Sequence, residues 1–407
     1  MSQSGGSRKA LAWLTVAELL AMSVWFSATA VSGAIGKAWH LSSGATTWLT
    51  ATVPLGFVGG ALFSATIGLA DRVPPRRLIS LGAVGAALTT ALVAGFPQGG
   101  IVPYLLRVMT GAFLSVVYPV AVQWIAEWFP HQRGLAVAIL IGGLTLGSAF
   151  PHVLTGLPLM RQWSTVLMTS GGLSAFGGLI VWRMIPRSRT WVKPPPFRWN
   201  YLHGVIQNRP VMWANVGYWG HMWELYAMWA WLPAFLLASW RGDWSGERLR
   251  QVAGVASFIA IGVAGFGGAL LGGWAAERWG RTVTTMVAMA VSGTLAIMIG
   301  LTYQSNPIGT FVLALVWGAS VIADSAQFSA AVTELSSPAS RGSALTLQMA
   351  VGYLVTVLSI DFVGWAVQKV GWHWAFMALA LGPLLGIGGM FRLRRRPESL
   401  RMAHGRR

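Results

Sequence analysis

The chain has 407 residues, 55% of them hydrophobic and only 10% charged, against about 25% charged in a soluble globular protein. Its formal charge is +18 and it contains no cysteine. The balance excludes a soluble multidomain enzyme, and the missing thiols exclude disulfides, thiolate metal sites and cysteine nucleophiles.

A membrane-spanning helix needs about 20 apolar residues. Twelve such stretches are predicted, near 11–35, 48–70, 78–95, 101–124, 135–158, 164–185, 211–238, 251–274, 283–302, 308–331, 344–367 and 372–391. The polar start Met1–Lys9 leads into an apolar run that passes Ser32. That run exceeds a signal-peptide core of roughly 7–15 residues, so it reads as the first span. Loops are short except Arg187–Pro210, which holds "KPPPFRWN" and several arginines. The expected organisation is a first six-helix half over 1–186, a cytoplasmic linker over 187–210, a second six-helix half over 211–391 and a basic cytoplasmic tail over 392–407. The fold class is all-α integral membrane, with twelve transmembrane helices in two pseudo-symmetric halves.

Charge orients the bundle. With the N-terminus inside, the inner segments hold 22 Arg and Lys and the outer segments six, so both termini and the linker are expected on the cytoplasmic side of a bacterial inner membrane. The surplus of arginine therefore reads as loop charge, and no nucleic-acid partner is expected.

The chain also repeats itself. "ELLAM" from Glu18 and "ELYAM" from Glu224 lie 206 positions apart, as do Asp71 and Glu277 in "GLADRVPPRR" and "GGWAAERWGR". Glu127 and Glu334 are 207 apart, and Arg133 and Arg341 are 208 apart, each pair inside Glu…Pro-x-x-Arg-Gly. Helix-end chemistry explains any one match, but not their shared register. The loop Gly273-x-x-x-Glu277-Arg278-x-Gly280-Arg281, with Arg107-x-x-x-Gly111 and "WFPHQRGLA", resembles the major facilitator superfamily. It is nearest to the bacterial nitrate, cyanate and oxalate/formate carriers. The first-half copy departs from the loop motif: Pro74 and Pro75 replace the later Gly-Arg, while Asp71, Arg72 and Arg76 remain.

The resemblance implies a secondary transporter working by alternating access, with helices 1, 4, 7 and 10 around a central cavity. It implies no enzyme activity and no cofactor, a small-molecule substrate, and a monomer in the lipid bilayer. It also implies a cytoplasmic gate built from Asp71, Arg72, Arg76, Glu127, Arg133, Gly273, Glu277, Arg278, Arg281, Glu334 and Arg341. These arginines either latch the inner ends of the two halves through acids such as Glu127 and Glu334, or only anchor topology. The family's nitrate carriers use arginines in spans two and eight, and this chain has none there. The separation of Gly147 and Pro151 departs from the family's antiporter motif.

Charge at mid-bilayer costs about 2.5–3.5 kcal/mol on insertion scales, so each intramembrane ionisable group is a functional candidate. Glu18, Glu224, Asp324 and Asp361 are the proton-coupling candidates. Glu18, Met22, Trp25 and Thr29 share one helix face, and His221, Glu224, Met228 and Trp231 another. The two glutamates are expected either to meet in the cavity as proton carriers, or to bond to helix backbones and tryptophan N–H groups. Asp324 equally suits a local pair with Gln327 or Ser325. Candidate substrate contacts are Trp25, Arg107, Tyr118, His152, His221, Tyr226, Trp231, Gln327 and Tyr353. The Arg107 fork matches a carboxylate or nitrate, and equally an internal acid such as Asp324 or Glu18. Pro151 makes a kink with a satisfied histidine the plainer account of His152. His221-x-x-Glu224 with Glu18 admits a divalent-metal exporter, although no metal site is assigned. A non-transporting membrane sensor on the same fold is the third reading. No P-loop, nucleophile elbow or zinc-protease pattern occurs, so energy is expected from an ion or substrate gradient.

Overall fold

The computed structural model describes residues 2–129, 133–160, 162–185 and 199–406. Residues 187–198 of the linker, and the side chains of Asp71, Glu127 and Arg133, lie outside the described residues. Every described element is helical. The long helices are α1 (Ser2–Met22), α2 (Ser43–Thr66), α3 (Pro75–Ala94), α4 (Ile101–Leu114), α5 (Tyr118–Trp128), α6 (Arg133–Leu154), α7 (Trp163–Met184) and α8 (Arg209–Ser239). They continue as α9 (Gly246–Ser257), α10 (Ala264–Trp279), α11 (Arg281–Met298), α12 (Pro307–Ala323), α13 (Ser325–Leu335), α14 (Arg341–Val370) and α15 (Leu381–Arg394). The linker's end forms a further short helix, Trp199–Gln207.

Local chemistry sets the boundaries. Ser42, Asn208 and Asn306 accept hydrogen bonds from the first free amides of α2, α8 and α12. Pro75, Pro210 and Pro307 stand in first turns, where no amide is missed. Gly280 closes α10 at φ 87°, a conformation that a side chain would strain, and so starts α11 in a new direction. α4 and α5 are one predicted span interrupted at Ser115–Val117, and α12 and α13 are one interrupted at Asp324. α9 and α10 are joined through a π-helical turn at Phe258–Val263.

Ten stretches among the described residues are long and apolar enough to cross a membrane, and each overlaps a predicted span. The helices carrying Glu18 and Glu224 are not among the ten. α1 begins with polar residues and breaks at Ser23–Phe26, so the span predicted over 11–35 is not one rod. α8 carries tryptophans, tyrosines, His221 and Glu224 in place of aliphatic residues. At the other end α15 runs to Arg394 and the basic tail folds back, burying Ser399 and Met402. The tail's Ala403 amide donates to Glu334 at 3.3 Å, and Arg406 donates to the Glu277 carbonyl.

Small residues bring helices close where the hydrophobic effect between spans is absent. A Cβ at Gly56 or Gly111 would overlap the carbonyls of Val108 and Val53, locking α2 to α4. Gly268 and Gly272 do the same for α10 against the Ala319 and Ala323 carbonyls of α12. Helices before the linker meet helices after it along two seams, α2 on α14 and α6 on α10. Large apolar side chains such as Phe63, Leu88, Leu271, Leu358 and Leu385 are exposed, the inverse of a soluble surface pattern.

Candidate functional site

A small cavity of about 30 Å³ lies between the two sets of helices, with room for roughly one or two waters. Tyr118, Ile141 and Leu144 line it from α5 and α6, and Ile322, Ser325, Ser329, Met349 and Tyr353 from α12, α13 and α14. α8 contributes Tyr218, Met222, Leu225, Tyr226 and Trp229, spaced so that all five share one face. Of the predicted substrate contacts, Tyr118, Tyr226 and Tyr353 are here. Tyr218, Trp229 and the two serines were missed. The signal was present: reading α8 from its aromatics rather than from Glu224 gives this face.

Rings border the cavity and fill the seam beside it. Trp25 stands 5.5 Å from both Phe57 and Tyr226, centroid to centroid, and Phe57 stands 4.2 Å from Tyr353. The Tyr226 and Tyr353 hydroxyls are 3.2 Å apart. Farther along the seam, Gln368 of α14 donates to Ser43 of α2 at 3.1 Å. The α2–α14 seam is therefore packed from the cavity to that end of the bundle.

The two glutamates of the repeat have different surroundings. Both are 1% exposed, so neither faces lipid. Neither lines the cavity. The Glu224 carboxylate accepts from Ser292 of α11 and from the Trp317 indole of α12, each at 2.7 Å. Its face of α8 is directed into neighbouring helices: Trp231 donates to the Ile360 carbonyl at 2.8 Å. Neither oxygen of Glu18 has a hydrogen-bond partner. Glu18 lies within electrostatic reach of Tyr118 and Tyr353, two cavity-lining residues. Sequence divergence accounts for the contrast. At the repeat offsets of 206 and 207, Ala86 and Thr110 stand where the second copy has Ser292 and Trp317. Trp317→Phe is expected to strand one buried Glu224 oxygen and cost about 1–3 kcal/mol. A lowered unfolding midpoint with unaltered solute specificity checks this.

Arg107 faces backbone rather than a ligand. It is fully buried, and it donates to the carbonyls of Trp25 at 2.7 Å, Val24 at 3.0 Å and Leu49 at 3.4 Å. The break after α1 leaves the Trp25 carbonyl to Arg107, while the Val24 carbonyl is shared with Ser27. Ser23 and Ser27 help to make that break by bonding back to Leu20 and Val24 at 2.7 and 2.8 Å. The sequence admitted an acid partner for Arg107, and the observed partners are carbonyls.

His221 Nδ1 lies 2.8 Å from Asp324 at 1% and 2% side-chain exposure. This pair ties α8 to the break between α12 and α13, one residue before the cavity-lining Ser325. The sequence had offered Asp324 Gln327 or Ser325 instead. Gln327, in the first turn of α13, accepts from Arg281 at 2.7 Å and is absent from the cavity lining. His152 is buried with a free Nε2 and is absent from the lining, and Asp361 is exposed. Among the described residues no group of three His, Cys, Asp or Glu is placed to hold a metal.

Among the gate residues, Arg281 forks onto Glu334 at 2.8 and 2.6 Å, a bidentate geometry stronger than a single ion pair. It joins α11 to α13, both after the linker, and so does not bridge the two sets of helices. Arg341 holds the Thr333 carbonyl at 3.1 Å. Arg76 and Arg278 stack on Trp182 and Trp274, and Arg72 is exposed. The contact across the sets is Glu277. Its carboxylate would sit 3.0 Å from a Cβ placed at Gly134, in the first turn of α6, where free amides and the helix dipole favour an acid. Gly273 faces Ala138 one turn farther along.

Comparisons with known proteins agree with this architecture. A family profile described as Major Facilitator Superfamily matches residues 14–359. The chain is 26% identical over 296 residues to the 3-(3-hydroxy-phenyl)propionate transporter of Escherichia coli, covering 70% of this chain and 69% of that protein. It is 27% identical over 354 residues to the probable transporter SCO4007 of Streptomyces coelicolor, covering 84% and 77%. The solved structure of the nucleoside transporter NupG, a D323A mutant, superposes with a TM-score of 0.71 over 94% of this chain and 99% of that one. At 14% identity that likeness speaks for the fold alone. On the profile match, these relatives and the helical bundle, the chain belongs to the major facilitator superfamily of membrane transporters.

Proposed function

We propose that the protein is a secondary active transporter that moves a small aromatic solute through the central cavity by alternating access, coupled to protons. The observation that carries the reading is the small, ring-lined cavity, built from helices on both sides of the linker and plugged along the α2–α14 seam. It has room for roughly one or two waters, so a solute enters only when a seam parts. In this reading α1 and α8 complete twelve spans in two pseudo-symmetric halves, 1–186 and 211–391, with the linker and tail cytoplasmic. The chain works as a monomer in a bacterial inner membrane, and the Ser43–Gln368 end is the outer one. Relatives that carry the printed names of 3-(3-hydroxy-phenyl)propionate and gallate transporters support an aromatic solute.

Glu18 is the coupling acid. It is buried with no donor to hold it ionised, so it loads and releases a proton as water access alternates. The His221–Asp324 pair, beside the cavity wall, is the second protonatable group. Glu224, held by Ser292 and Trp317, is structural, and so is Arg107. Glu277 on the start of α6 is the inner latch, with Arg281 and Glu334 bracing it.

The test uses the absence of cysteine. A Ser43→Cys, Gln368→Cys pair, joined by a short reducible thiol crosslinker, is expected to stop solute flux in proteoliposomes by at least about tenfold, and reductant to restore it. Undiminished flux with the crosslink in place would contradict alternating access through this seam.

A further inference from the structure

We infer that the cavity selects aromatic solutes bearing a positive charge, and rejects aromatic carboxylates. The inference rests on the transport reading only in taking the cavity as the solute's site. Three observations carry it. First, the walls carry five aromatic side chains, Tyr118, Tyr218, Tyr226, Trp229 and Tyr353, and each ring has two faces to offer. Such faces attract flat rings and cations, and the attraction grows when water is excluded.

Second, the buried basic groups of the surrounding helices stay out of the lining, His152 included. Arg107 is held by the Trp25, Val24 and Leu49 carbonyls, and His221 by Asp324. No lysine, arginine or histidine lines the cavity among the described residues. A carboxylate admitted here would be a buried anion without a counter-ion, the costliest arrangement available.

Third, the acids exceed the free cations at this depth. Glu18 is buried and unpartnered, within electrostatic reach of Tyr118 and Tyr353. Glu224 and Asp324 lie within reach of each other on the opposite side. An ammonium group among these rings finds a counter-charge in Glu18 once that acid has released its proton, and the serine hydroxyls of Ser325 and Ser329 supply acceptors. The charge preference is opposite to that of the 3-(3-hydroxy-phenyl)propionate carrier by its printed name.

Equilibrium dialysis of the full chain in lipid nanodiscs tests this with three probes of one shape: 3-phenylpropylamine, 3-phenylpropan-1-ol and 3-phenylpropionate. The amine is expected to bind at least about tenfold tighter than the carboxylate, with the alcohol between them. Glu18→Gln is expected to weaken the amine about tenfold and leave the alcohol within about twofold, so the alcohol reports that the variant is folded. Should the variant fail to assemble, the order of the three probes in the unmodified chain still decides. A carboxylate that binds as tightly as the amine, an amine preference that survives Glu18→Gln, or binding of none of the three would each overturn the inference. Uphill accumulation of the carboxylate in vesicles would overturn it while leaving the transport reading standing. An ineffective Ser43–Gln368 crosslink would remove the transport reading without altering the probe order.

Discussion

Arg107→Ala is expected to be lost as a folded protein rather than as a ligand binder. The guanidinium supplies the donors for a helix break inside the bilayer, at the Val24 and Trp25 carbonyls. No water stands ready there to replace it. Ser27 still donates to Val24, so the Trp25 carbonyl is the one left without a donor, at about 1–3 kcal/mol, and the lost packing of a fully buried side chain adds to that. Domains of ordinary stability have only about 5–15 kcal/mol in all. Detergent-solubilised Arg107→Ala should therefore aggregate or unfold many degrees below the parent in a fluorescence size-exclusion thermal series. Arg107→Lys should fall between, because an ammonium cannot reach several carbonyls with a planar fork. An alanine variant with the parental midpoint, together with a changed solute preference, would return Arg107 to the list of ligand contacts.

This case explains where the sequence was legible and where it was not. Span positions follow from apolar length alone, and ten predicted spans overlap apolar helices in the structure. The repeat register was equally plain, because it needs only matching letters. Arg107 was harder. Its partners are backbone carbonyls freed where α1 breaks at Ser23–Phe26, and neither proline nor glycine marks that break. Two serines bonding backwards do so instead, a signal too common to recognise beforehand.

The repeat also misled at α8. Matching Glu224 to Glu18 drew attention to the His221–Glu224–Met228–Trp231 face, whereas the cavity is lined by the Tyr218–Met222–Leu225–Tyr226–Trp229 face. Identical letters in two copies do not share a role when their neighbours have changed. Glu224 gained Ser292 and Trp317, the repeat-related Ala86 and Thr110 cannot reproduce an indole donor, and Glu18 was left bare. The reading that the glutamates bond to tryptophan N–H groups holds for one copy only.

Glu18→Gln is therefore expected to cut gradient-driven accumulation at least about tenfold, with solute exchange across vesicles largely intact once the solute is raised to saturation. Glutamine keeps the size and polarity of the side chain and loses only the titrating proton, and Glu18 has no hydrogen bond whose loss would unfold the helix. Glu224→Gln should behave in the opposite way. Its amide oxygen still accepts from one of Ser292 and Trp317, its nitrogen faces the other donor, and the expected effect is a lowered unfolding midpoint with coupling retained.

The most direct measurement is proton movement itself. Proteoliposomes loaded with a pH-reporting dye, without an imposed gradient, receive solute from outside, and internal pH is followed alongside solute exchange. Unmodified protein should move protons with solute, and Glu18→Gln, given saturating solute, should exchange it with no accompanying pH change. A Glu18→Gln protein that moves protons with solute as the parent does would contradict the account.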